Sequence, residues 1–63
     1  MSYITARAKE LAAEIRSADF WDMDVLAELC GLADMAAAWE AAEGEAFEDV
    51  AYAAADTLGV MLI

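Results

Sequence analysis

In the first seventeen residues Ile4, Ala8, Leu11 and Ile15 recur at intervals of four, three and four. That spacing puts them on one face of a helix. Ser2 stands where an N-cap belongs, and Arg16 where a cation suits the C-terminal end of the dipole. The pattern therefore predicts a helix over 3–17. After a short linker, Asp22 is placed to cap a second helix, with Trp21 positioned to pack on Leu26 as a hydrophobic staple. This helix is expected over 23–30, stopped by Gly31 in the left-handed conformation, with Leu32 making the apolar contact that accompanies such a stop. A third helix is expected over 34–43, with Leu32, Met35, Ala36 and Trp39 facing inward and Gly44 ending it. A fourth is expected over 46–58, with Phe47, Val50, Ala51, Ala54 and Leu58 as its inward stripe and Gly59 as terminator. The tail, Val60 to Ile63, is too short for an element and either folds back over the bundle or adds to a partner. The expected architecture is all-α: one domain spanning 1–63, a compact bundle of about four short helices with a short apolar tail.

Composition changes the picture of the core. Forty of the 63 residues are apolar, but 17 of them are alanine, so large side chains are scarce. Tyr3, Phe20, Trp21, Trp39 and Phe47 are accordingly expected to supply much of the burial. Charge changes it further. Thirteen carboxylates face three cations, a formal net charge of −10. The cations, Arg7, Lys9 and Arg16, all lie in the first 16 residues, whereas Ser17 to Ile63 carries 11 carboxylates and no lysine or arginine. Such a chain repels phosphate, which excludes direct nucleic-acid binding. The longest apolar run, Val50 to Ala55, is far short of the ~20 residues of a membrane span, and no secretory signal is expected at the start. A single cysteine gives no disulfide framework. These features point to a cytoplasmic protein.

Motifs that carry chemistry are weak. Residues 26–32, Leu-Ala-Glu-Leu-Cys-Gly-Leu, resemble the first helix and turn of helix-turn-helix DNA-binding proteins, in which alanine and glycine permit a tight helix crossing. The helix in the reading position would carry three carboxylates and no cation, so the resemblance speaks to packing and not to DNA reading. Asp22-Met23-Asp24 opens like a calcium loop but lacks the later ligands, the glycine and the closing glutamate. One cysteine and no histidine make zinc a poor fit, and Cys30 has no histidine base, so it reads as a small core hydrophobe. No catalytic residue, metal or cofactor is expected.

The carboxylates carry the functional signal. Asp22, Asp24, Asp34, Glu45 and Glu48 fall in or near expected first turns, where the helix dipole favours them. Glu43 and Asp56 fall in expected last turns, where it does not, and Glu28, Glu40 and Asp49 have no cation three or four residues away. Like-charge neighbours such as Asp24 with Glu28, Glu40 with Glu43, and Glu45 with Glu48 and Asp49 each cost about 0.2–0.5 kcal/mol. On the fourth helix Glu45, Asp49, Tyr52 and Asp56 share the face opposite the apolar stripe, with carboxylates four residues apart separated by about 6 Å along the axis. This row imitates a phosphate strand, with Tyr52 as an aromatic anchor. The candidate partner-binding residues are Glu28, Glu40, Glu43, Glu45, Glu48, Asp49, Tyr52 and Asp56.

In size, helicity and acidity the whole chain resembles the small acidic phage-encoded anti-CRISPR proteins. The resemblance implies an inhibitor in the host bacterial cytosol that binds a basic Cas subunit, such as one of a type I effector, and competes with target DNA. The other reading is a small acidic interaction or regulatory module of a mobile element, acting through the apolar tail as a monomer or weak homodimer.

Overall fold

The computed structural model describes residues 2–63. Four helices follow one another: α1 (Tyr3–Ser17), α2 (Met23–Leu32), α3 (Ala36–Ala41) and α4 (Ala46–Leu58). Among the described residues there is no strand. The expected helices over 3–17 and 46–58 form with those limits. Ser2 caps α1 by accepting a hydrogen bond from the backbone N–H of Thr5 at 3.2 Å, and Asp22 caps α2 by accepting from Asp24 at 2.9 Å.

The end of α2 differs from expectation. Gly31 stays helical, and the chain reverses three residues later at Asp34, whose φ is +61°. There the N–H of Asp34 donates to the carbonyl of Gly31 (3.1 Å) and that of Met35 to the carbonyl of Cys30 (2.8 Å). The same two-bond stop recurs at Gly59, φ +73°, where Gly59 donates to Asp56 and Val60 to Ala55. Aspartate is one of the few non-glycine residues that tolerates the left-handed region, so it can take the role assigned to Gly31.

Placing Asp34 in that turn shortens the third helix. It runs over Ala36–Ala41 instead of 34–43, with Met35 at the N-cap and no side-chain capping bond. Asp34 is therefore not a first-turn acid, and Glu43 lies beyond the helix, in the bend that Gly44 (φ +57°) completes. The Glu43 charge thus lies two residues past the end of α3 instead of in its last turn.

The core is aliphatic. Ala8, Leu11, Ala12 and Ile15 of α1, Leu26 and Leu29 of α2, Ala51 and Ala55 of α4, and Leu62 of the tail form one buried cluster. Trp21, Val25, Leu32, Trp39, Phe47, Leu58 and Val60 pack around it. Tyr3 and Phe20, expected in the core, are 72% and 78% exposed, and Ile4 is 44% exposed. At 1.5 Å per residue α1 is about 22 Å long and α2 about 15 Å, so the first turn of α1 has less helix to pack against. Phe20 turns outward in the linker, where its neighbour Trp21 takes the inward place. α2 packs on α1, α3 and α4; α1 also touches α4, but α1 and α3 do not meet. The tail folds back: Leu62 is buried, Val60 packs on the core, and an Arg16 Nη1–H donates to the carbonyl of Met61. The Cα radius of gyration is 10.6 Å, the value of a well-packed chain of this length.

Candidate acidic interface

Every one of the 13 carboxylate side chains belongs to an exposed residue. What distinguishes them is the company they keep. All three cations sit on α1, and the packing order separates α1 from α3. Arg7 reaches α2, where its Nε and Nη2 donate to Glu28 Oε2 and Oε1 at 2.6 and 2.9 Å, and it also lies 3.9 Å from Glu10. This forked pair has the geometry that favours Arg–carboxylate recognition. The hydrogen bond to Arg7 holds the Glu28 carboxyl below its ordinary range, and the same bond raises Arg7. Glu28 thus has a cation that local spacing did not offer, 21 residues away along the chain. It stands apart from the other candidates.

Five of the other candidates lie close together along the chain, while Glu14, Asp19, Asp22, Asp24, Asp34 and Asp56 likewise have no ion-pair partner among the described residues. Glu40 on α3, Glu43 and Glu45 in the connection, and Glu48 and Asp49 in the first turn of α4 place five carboxylates within residues 40–49. Among the described residues none of the five has an ion-pair partner. The Gly44 turn bends the chain between the two helices, with Ala46 N–H donating to the Glu43 carbonyl at 3.0 Å and Glu48 N–H to the Glu45 carbonyl at 3.1 Å. No side chain caps α4, so the Glu45, Glu48 and Asp49 carboxylates are left to solvent while the helix dipole favours their charge. Asp56 follows two turns further along the exposed face of α4.

Behind this corner runs a chain of aromatic contacts. Trp39 meets Phe47 edge-on with centroids 6.2 Å apart, Phe47 meets Trp21 at 6.4 Å, and Trp21 meets Tyr52 at 5.4 Å. These contacts join α3 and the 18–22 linker to α4, each in the edge-to-face geometry that the ring quadrupoles favour. Tyr52 is consequently both part of this packing and 41% exposed beside Asp49 and Asp56.

Cys30 is buried, and burial pushes its thiol up, away from the thiolate that a nucleophile requires. Among the described residues no three His, Cys, Asp or Glu side chains come together to hold a metal ion. No described helix is long and apolar enough to cross a membrane. Compared with protein-family models, with curated proteins and with solved structures, the chain matches none.

Proposed function

We propose that the protein is a non-enzymatic inhibitor whose acidic face occupies a basic nucleic-acid-binding site. The class that fits is the anti-CRISPR protein acting on a CRISPR–Cas effector complex in the bacterial cytosol. One observation carries this reading: residues 40–49 hold five exposed carboxylates, none of which has an ion-pair partner among the described residues. The helix dipole favours Glu45, Glu48 and Asp49 at the start of α4, but like charges this close repel, and Glu40 and Glu43 have no such support. A channel lined with lysine and arginine relieves the repulsion and steers the encounter. The corner is tied to the rest of the fold through the Trp39–Phe47 contact, which limits the ordering needed on binding.

The test is binding of the purified protein to type I effector complexes with and without competing target DNA. Binding weakens about tenfold or more between low and moderate salt, and DNA competes with it. The variant Glu45→Gln/Glu48→Gln/Asp49→Asn loses binding with its helicity intact. Unaltered binding by that variant rules out the α3–α4 corner as the contact face, and indifference to DNA rules out competition for the DNA site.

A further inference from the structure

We infer that the folded-back tail is a self-complementary interface through which two copies of this chain associate. The tail splits by residue. Leu62 points into the core and Val60 packs on it, whereas Met61 and Ile63 are 70% and 81% exposed. Met61 and Ile63 form an apolar ridge between two grooves. The groove on the α4 side is lined by Tyr52, Ala55 and Asp56 along with the tail, and the one on the α1 side by Lys9, Ala12 and Arg16 along with the tail. One groove is edged by a carboxylate and the other by cations.

That alternation selects the occupant. A partner covering the ridge and both grooves must offer an apolar strip flanked by a cation on one side and an anion on the other. A second copy, turned about a two-fold axis along the ridge, offers this: ridge meets ridge, and the Asp56 edge of each copy faces the Lys9 edge of the other. Lys9 is exposed and has no ion-pair partner among the described residues, so it is available for the contact. Arg16 already donates to the Met61 carbonyl, which fixes the ridge against α1. The net charge of −10 on each copy opposes association, so the dimer is weak and the apolar strip is its main source of stability. The surface lies at the C-terminal end of α4, leaving the Glu40–Asp49 corner at the other end uncovered.

Sedimentation equilibrium with a charge exchange tests this. The wild type dimerises in a concentration-dependent way, while Lys9→Glu and Asp56→Lys each raise the dimer Kd about tenfold or more, by placing like charges opposite each other. An equimolar mixture of the two variants regains wild-type association, because each mixed dimer restores an opposite pair at both edges. Ile63→Ser, at an exposed site that leaves the fold untouched, weakens association on its own. A wild type that stays monomeric up to its solubility limit overturns the inference. So does a mixture no more associated than the separate variants, or undiminished association of Ile63→Ser.

Discussion

At the scale of the residue, two helix stops of the same design use different amino acids. Gly59 adopts φ +73° without steric cost, whereas Asp34 adopts φ +61° with a Cβ in place. Asp34 also puts a negative charge beside the C-terminal end of α2. Replacing Asp34→Gly removes both disadvantages and is expected to stabilise the protein by about 0.5–1 kcal/mol in urea unfolding. Gly59→Ala is expected to destabilise it by about 1 kcal/mol, although the space around Gly59 is open, because the cost is conformational. The sequence made glycine the obvious stop at the ends of the last three helices. It gave no local reason for the chain to pass Gly31 and turn at an aspartate, since that choice depends on where α3 must start to pack.

At the scale of the element, the helices differ in what holds them. α1 and α2 have side-chain N-caps and contribute most of the buried cluster, whereas α3 has no capping side chain and no buried residue. Trp39 is its only large side chain, and its edge-on contact with Phe47 ties α3 to α4. Trp39→Ala is therefore expected to cost about 2 kcal/mol, below the range for a fully buried tryptophan. In hydrogen exchange the amides of α3 lose protection while those of α1 and α2 keep theirs. A shift in protection spread evenly over all four helices would contradict this division. The short α3 was less legible than α1 because six residues, mostly alanine, carry little periodicity. Of the five rings expected to supply burial, Trp21, Trp39 and Phe47 pack against the core but Tyr3 and Phe20 do not. Alanine-rich seams let the helices approach closely, so leucine and isoleucine fill the centre and the rings are left at its edge.

At the scale of the whole molecule, the charge is polarised. The cations lie on α1, where Arg7 holds α2 through Glu28 and Arg16 holds the tail, while the acids of residues 40–49 face solvent with no ion-pair partner among the described residues. Repulsion among those groups weakens the folded state, so moderate salt is expected to raise the melting temperature of the isolated protein while it weakens binding to a basic partner. Circular dichroism melts across a salt series read the first effect. The triple variant at Glu45, Glu48 and Asp49 should show a smaller salt dependence than the wild type.

The sequence by itself determined that the chain is a small helical bundle, because alanine content, apolar spacing and capping residues all act within a few residues of one another. It also determined that negative charge is in excess after residue 16, a matter of counting. Only the tertiary structure decided which carboxylates are compensated. The Arg7–Glu28 pair spans 21 residues, and no local pattern specifies which helix faces which. Packing likewise decided the fate of the tail, turning Leu62 inward and leaving Met61 and Ile63 outside, because four apolar residues have no preferred side until a core exists to receive one of them.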